Sequence, residues 1–138
     1  MRYLIDSNIL IFCASDKGRL SKKVKAVIYD CENRIYISSR CVEELIALQQ
    51  SNKIEVKQWK SAEDIIGYIT NELGFEIKYI AKEHLQTLAC LPLLYGHKDP
   101  TDRMIIAQAI TENITMISSD TEFPRYVKYG LDLVYNPK

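Results

Sequence analysis

The sequence predicts an α/β protein built as a single domain over residues 1–138. Short runs of β-branched and aromatic residues alternate with segments of helical periodicity, as in strand–helix units with parallel strands. Several of these runs end in hydroxyl, amide or acidic side chains, which are the residues that cap helices. The 138 residues, 47% hydrophobic and 26% charged, fit one soluble domain, and five Gly with four Pro argue against disorder.

The first strand is predicted over residues 2–5 and ends directly at Asp6. A helix is expected from Ile9 to Ala14, and Ser21 is the predicted N-cap of a second helix that reaches about Cys31. Asp6 can be the cap of the first helix. It can also be a functional acid, because open α/β sheets bind their ligands at the carboxyl ends of their strands.

The strand–helix pattern repeats over residues 34–51. Residues 34–38 are a predicted strand that ends in hydroxyls, and residues 41–51 have helical periodicity. Glu43 and Glu44 lie away from the centre of the apolar side of this helix. One of them is expected to project from the first turn toward the edge of the sheet, although a solvated pair of acids is the alternative.

The middle of the chain contains a further strand between two helices. Residues 52–56 form a polar connection, residues 60–73 a predicted helix that Gly74 ends, residues 75–79 a strand, and residues 81–91 a helix. Pro92 and Gly96 then interrupt the regular structure.

The segment from Gly96 to Arg103 carries two acids at the start of a helix. Asp99 is a good N-cap, Pro100 suits the first helical position, and Asp102 falls at the third. The following residues, 104–110, are apolar on several sides, which predicts a buried helix. Capping explains Asp99 well but explains Asp102 less completely.

The last part of the chain repeats the arrangement seen at Asp6. Residues 114–117 are a predicted strand, followed by two serines and Asp120, which can also cap a turn at residues 121–123. Pro124 is expected to break that turn, Tyr126 and Tyr129 are expected to pack, and residues 131–135 can form an edge strand.

Net charge and the spacing of the cysteines indicate which partners the protein can bind and in which cellular compartment it is expected. Net charge is zero, so RNA or DNA binding must rest on local patches, and the densest basic run is residues 17–25. That run is either a solvated helix face or a surface for phosphates. The four cysteines lack metal or redox spacing and are expected to be small core residues in a reducing compartment. No signal peptide or membrane span is expected, which predicts a cytoplasmic protein without membrane contact.

Four acids, taken together, point to a chemistry. Asp6, one of the two glutamates, Asp102 and Asp120 all follow predicted strands or begin predicted helices, and in a parallel sheet such positions gather on one rim. Carboxylate oxygens suit Mg²⁺ or Mn²⁺. Such a site serves phosphoryl transfer or phosphodiester hydrolysis.

The same positions carry a resemblance to the PIN-domain ribonucleases, and more narrowly to the VapC-type toxins of toxin–antitoxin pairs. The resemblance spans nearly the whole chain, and its most specific part is the third motif. The matching stretches are L-I-D-S-N at 4–8, I-S-S-R-C-V-E-E-L at 37–45, H-K-D-P-T-D-R-M-I-I-A-Q-A at 97–109 and I-S-S-D-T-E-F at 117–123. Many relatives have Phe in place of Thr101 and Thr or Asn in place of Ser119, and both changes leave the acids intact.

The resemblance implies a three-layer α/β/α sandwich with a central parallel sheet of about five strands. It also implies Mg²⁺- or Mn²⁺-dependent cleavage of RNA, a homodimer, and a cognate antitoxin that covers the site. The residues expected in each role are as follows: Asp6, Glu44, Asp102 and Asp120 as catalytic, metal-binding acids; Asp99, Asn8 and Ser119 in support; and Lys22, Lys23, Lys25 and Arg103 as candidate contacts to RNA.

Other functions remain open on sequence grounds. A haloacid-dehalogenase-like phosphatase needs a second acid where this chain has Asn8, and a receiver domain needs adjacent acids early in the chain. A catalytically silent binding module of the same fold, or an RNA-processing nuclease that is not a toxin, are further alternatives.

Overall fold

A parallel sheet forms the centre of the protein. The computed structural model describes residues 1–137, so the last residue of the predicted domain, Lys138, lies outside the described residues. Within residues 1–137 the sheet has five strands in the order β3-β2-β1-β4-β5, all paired in parallel. The strands are β1 (Arg2–Ile5), β2 (Arg34–Ser38), β3 (Glu76–Lys78), β4 (Thr115–Ser118) and β5 (Leu133–Tyr135).

Helices connect the strands and complete three layers. They are α1 (Ser7–Ser15), α2 (Lys22–Ile28), α3 (Ser39–Gln50), α4 (Ala62–Gly67), α5 (Lys82–Cys90) and α6 (Pro100–Glu112). Connections between parallel strands are right-handed, so the path from β1 to β3 and the return from β3 to β4 place helices on opposite faces of the sheet. The predicted α/β/α sandwich around a parallel sheet is therefore confirmed.

The order in which successive strands are added to the sheet reverses between the neighbouring strands β1 and β4. From β1 the chain proceeds to β2 and β3 on one side, whereas β4 and β5 lie on the other side of β1. Ile5 pairs in register with Ile117, so Asp6 and Ser118 follow at adjacent positions of neighbouring strands. A reversal of this kind opens a crevice at the carboxyl ends of the strands, where α/β sheets bind ligands.

The core lies between the sheet and its helices. The central strands are buried on both faces, and Leu4, Ile5, Met116 and Ile117 are fully buried. Helix α6 is buried around most of its circumference, as predicted. Its Gln108 is fully buried and donates hydrogen bonds to the carbonyls of Lys78 and Tyr79 at the end of β3.

The helix predicted over residues 60–73 differs in the structure. It is the short helix α4 followed by a π-helical turn, Tyr68–Glu72. Helix α4 begins late because the Asp64 carboxylate accepts hydrogen bonds from the backbone amides of Lys60 and Ser61, which holds those residues outside the helix.

Pro124 does not break a turn, contrary to the expectation from sequence. It stands near the start of a 3₁₀ helix, Phe123–Tyr129, where the N–H group that proline lacks has no helical partner to lose. Tyr126 in this helix is buried, as predicted, but Tyr129 is exposed.

Two of the four cysteines are not core residues. Cys13 and Cys41 are buried as expected, whereas Cys31 and Cys90 are exposed, and all four thiols are free. Over residues 1–137, no helix has the length and apolar character to cross a membrane.

Candidate active site

Asp6 stands directly after β1 and is buried, with only 5% of its surface exposed. One carboxylate oxygen accepts a hydrogen bond from the backbone amide of Ile9 at 3.0 Å and so caps α1. The other oxygen accepts from the hydroxyl of Ser118. Asp6 is therefore a helix cap and also an acid held at the switch point of the sheet, and the two roles do not exclude each other.

The two neighbouring glutamates have different surroundings. Helix α3 begins at Ser39, earlier than predicted, so both lie beyond its first turn. Glu44 is half-buried, and its Oε1 accepts a hydrogen bond from the hydroxyl of Ser7, the residue after Asp6, at 3.0 Å. Glu43 is exposed, with its carboxylate 3.6 Å from the guanidinium of Arg40. Of the two, Glu44 lies beside Asp6.

Asp99 and Asp102 occupy the start of α6. Asp99 is exposed and caps the helix, since its Oδ1 accepts from the backbone amide of Asp102 at 3.0 Å. Oδ2 of Asp102 lies 3.0 Å from Nε2 of His97. Burial, together with the nearby charges of Asp99 and Asp120, raises the pKa of Asp102 to about 7, although the hydrogen bond to His97 acts in the opposite direction.

Asp120 follows β4 in a turn that its own side chain stabilises. Its Oδ1 accepts from the backbone amide of Glu122 at 2.8 Å, and its backbone amide donates to the hydroxyl of Ser118 at 3.0 Å. Ser118 thus donates to Asp6 and accepts from Asp120, so one fully buried hydroxyl joins two of the predicted acids.

Ser118 was missed in the sequence, where Ser119 was the predicted supporting residue. The hydroxyl of Ser119 accepts a hydrogen bond from the side chain of Asn136 at 2.7 Å. The strand register distinguishes these two serines, because it places Ser118 beside Asp6. Adjacent residues of a strand point to opposite sides, so Ser119 points away from Asp6. Asn8, the other predicted supporting residue, is exposed in the first turn of α1.

The structure brings the four acids onto one rim. Burial raises the pKa of the Cys41 thiol, and the carboxylates of Asp6, Glu44 and Asp102 raise it further, so all three lie within electrostatic range of one buried atom. Asp120 acts in the same way on Asp102. The fourth acid therefore belongs to the same cluster.

The rim suits a hard divalent cation that keeps part of its water shell. In the described part of the chain, no three His, Cys, Asp or Glu side chains come close enough to form a ready-made metal cage. Mg²⁺ is usually held through one or two carboxylates and several waters, so it does not need such a cage. The donors are carboxylate oxygens, and a cation would offset both the burial of Asp102 and the repulsion from Asp99 and Asp120, which together raise its pKa.

The basic run approaches the same end of the sheet. Lys22 and Lys23 are exposed and Lys25 is half-buried on α2. The fully buried Asn136 accepts from the backbone amide of Ser21 at 2.7 Å and donates to the carbonyl of Arg19 at 2.9 Å. Because the same side chain also contacts the residue before Asp120, it ties the start of α2 to the acidic rim.

Arg103 is engaged within the protein. Its guanidinium donates to the carbonyls of Pro92 at 2.9 Å and Leu91 at 3.2 Å. These bonds hold the loop before α6, and this geometry favours a structural role over contact with RNA.

Comparisons with known proteins agree with this architecture. VapBC2 from Rickettsia felis, solved with a DNA fragment from its promoter, is 20% identical with a TM-score of 0.68. VapBC from Salmonella typhimurium, also bound to DNA, and VapBC-1 from nontypeable Haemophilus influenzae are each 16% identical, with TM-scores of 0.66 and 0.65. Each match covers 98% of this chain and 98% of the other.

No curated protein matches the chain significantly. The structural likenesses, at these identities, establish a shared fold. The sequence itself matches the PIN domain over residues 3–129. Since that match spans most of its length, the chain belongs to the PIN-domain family.

Proposed function

We propose that this protein is an endoribonuclease that hydrolyses RNA phosphodiester bonds with Mg²⁺ or Mn²⁺. The observation that carries the proposal is the hydrogen bonding at the switch point of the sheet, where Ser118 joins Asp6 to Asp120, Ser7 next to Asp6 bonds Glu44, and His97 bonds Asp102. Asp6 is buried and the other three acids are partly buried, and carboxylates removed from water beside one another are costly unless a cation compensates them. The four acids are the residues that would hold the ion, and they are the proposed catalytic residues.

The ion, when bound, would act as a Lewis acid that makes a water molecule a stronger nucleophile and offsets negative charge on the phosphate. The residues of the chain hold the acids in place for it. Ser118 fixes Asp6, Ser7 fixes Glu44, and Asp99 supports Asp102 through the start of α6. Asn8 and Ser119 remain proposed supporting residues.

The basic run is the proposed contact to the RNA backbone. Lys22, Lys23 and Lys25 lie on α2, whose start Asn136 holds beside the Asp120 turn. Lysine ammonium groups attract phosphates without reading the base sequence. A strand of RNA bound along α2 would thus reach the acidic rim.

We also propose that the protein is the cytoplasmic toxin of a type II toxin–antitoxin pair, that it forms a homodimer, and that its cognate antitoxin covers the site. Membership of the PIN-domain family and the fold shared with VapBC proteins support this assignment. Growth arrest on expression, relieved by the product of the neighbouring gene, distinguishes a toxin from an RNA-processing nuclease of the same fold.

The test of the nuclease is cleavage of a labelled RNA with and without a chelator. We expect cleavage to stop in excess EDTA and to return when Mg²⁺ or Mn²⁺ is restored, because hydrolysis at the four acids would require the bound ion. The matched variant is Asp6→Asn, which keeps an oxygen able to cap α1 and removes the charge. It should remain folded and fail to cleave at any metal concentration. Cleavage that continues unchanged in excess chelator contradicts the metal mechanism.

A further inference from the structure

His97 contacts both Asp102 and the segment that follows Asp120. Its side chain is buried, with 4% of the residue exposed. Nε2 lies 3.0 Å from Oδ2 of Asp102, and Nδ1 lies 2.6 Å from the hydroxyl of Tyr126. The rings of His97 and Tyr126 meet edge to face, with centroids 5.4 Å apart.

The chemistry of the three groups assigns one direction to each hydrogen bond. When Asp102 is ionised, as a metal-binding carboxylate is, it only accepts, so Nε2 carries the proton that it donates to Asp102. In a neutral imidazole Nδ1 is then the acceptor, and it accepts a hydrogen bond from the hydroxyl of fully buried Tyr126. The chain of donors from Tyr126 through His97 to Asp102 thus needs no charge on the imidazole.

The position of this chain of bonds joins two parts of the rim. His97 lies before α6, which carries Asp102, and Tyr126 lies in the 3₁₀ helix that follows the Asp120 turn. The contact therefore restrains the rotation of the Asp102 carboxylate and links it to the segment that carries the fourth acid.

We propose that His97 and Tyr126 are positioning residues that orient Asp102 for a divalent cation. The inference rests on the proposed function, in which Asp102 is a metal-binding acid. Hydrogen bonds to ligating carboxylates restrict their geometry, and loss of such partners typically weakens metal binding about 10- to 100-fold.

The test measures the affinity of the purified protein for Mn²⁺, by titration followed with electron paramagnetic resonance and without RNA. We expect His97→Ala to bind Mn²⁺ about 10- to 100-fold more weakly than the parent protein. His97→Gln, which retains a donor amide, should recover part of the loss. Tyr126→Phe removes only the hydroxyl and should weaken binding in the same direction by a smaller factor.

His84 provides a matched control for a purely structural effect. It is equally buried, and its Nε2 lies 2.7 Å from a carboxylate oxygen of Glu112 at the opposite end of α6. His84→Ala should lower the melting temperature but leave Mn²⁺ affinity unchanged. An equal loss of affinity in His84→Ala and His97→Ala would overturn the positioning role.

The two levels of the proposal fail differently. Asp102→Asn shows whether Mn²⁺ binding depends on Asp102. If the parent protein does not bind Mn²⁺, or if Asp102→Asn binds it as tightly as the parent, both the proposed function and the positioning role are overturned. If that dependence holds, but folded His97→Ala and Tyr126→Phe bind Mn²⁺ as tightly as the parent, only the positioning role is overturned.

Discussion

Glu43 and Glu44 are adjacent in sequence and differ in what surrounds them. Glu44 accepts a hydrogen bond from Ser7 beside Asp6, whereas Glu43 is exposed and lies near Arg40. A half-buried acid at the rim can contribute to a metal site, while an exposed pair with arginine contributes little even to stability. The two residues therefore form an internal comparison in which side-chain size and charge are the same.

We predict that Glu44→Gln lowers the rate of RNA cleavage by about 100-fold or more, since loss of metal-based stabilisation costs several kcal/mol and each 1.4 kcal/mol is about tenfold in rate. Glu43→Gln should keep most of the parent activity. The measurement is single-turnover cleavage of a labelled RNA, with folding checked by circular dichroism. The opposite order of effects would show that the assignment on α3 is off by one residue.

Helix α2 is the element on which RNA binding is proposed to depend. It carries a dense positive charge in a protein whose net charge is zero. Asn136, which follows the edge strand β5, fixes the start of this helix through three hydrogen bonds to Arg19, Ser21 and Ser119. The basic surface is thus attached to the same end of the sheet as the acids.

We predict that replacing Lys22, Lys23 and Lys25 together with Gln weakens RNA binding and flattens its salt dependence. For single-stranded RNA, each lysine that no longer neutralises a phosphate should lower the slope of log affinity against log salt by about 0.7. Turnover of bound RNA should change little, because no acid is touched.

The control for that variant is the same charge change made elsewhere. Lys53, Lys57 and Lys60 are exposed in the segment between α3 and α4, and their replacement with Gln should leave the salt slope nearly as in the parent. If both triple variants bind RNA like the parent across a salt series, α2 is only a solvated face and the RNA follows another path.

The parallel sheet of the whole molecule places the four acids along one rim. The cost of that arrangement is visible in Asp102, whose pKa burial and neighbouring acids raise to about 7. A ligand that binds only the folded protein stabilises it, by about 2.7 kcal/mol when its concentration is 100 times the dissociation constant. The proposed ion should therefore stabilise the entire domain.

We predict that Mn²⁺ raises the melting temperature of the parent protein and that Asp102→Asn largely loses this increase. Glu112→Gln is the matched control, because Glu112 is a partly buried acid bound to His84 and Lys78 at the other end of α6. It should keep the increase, whatever its own stability. A melting temperature that does not respond to Mn²⁺ in the parent protein would contradict a metal site on the rim.

Local patterns in the sequence predicted most of the elements and three of the four acids, Asp6, Asp102 and Asp120, whereas the choice of Glu44 over Glu43 came from the family resemblance. Asp6 and Asp120 could be placed at strand ends because β-branched runs stop abruptly before them, and Asp99 and Pro100 mark the start of α6 by helix-capping chemistry alone. These signals lie within a few residues of one another, which is why no tertiary information was needed.

The side-chain contacts in and around the site were decided only by the tertiary structure. Ser118 rather than Ser119 joins Asp6 to Asp120, His97 pairs with Tyr126, and Arg103 is engaged by the loop before α6. The bond from Ser118 to Asp6 joins residues 112 positions apart and depends on strand order and register, whereas the contacts of His97 and Arg103 span 29 positions or fewer. A sequence pattern reports the local periodicity of the chain, whereas the pairing of Ser118 with Asp6 follows from how β1 and β4 align, and that alignment is set by packing of the whole sheet.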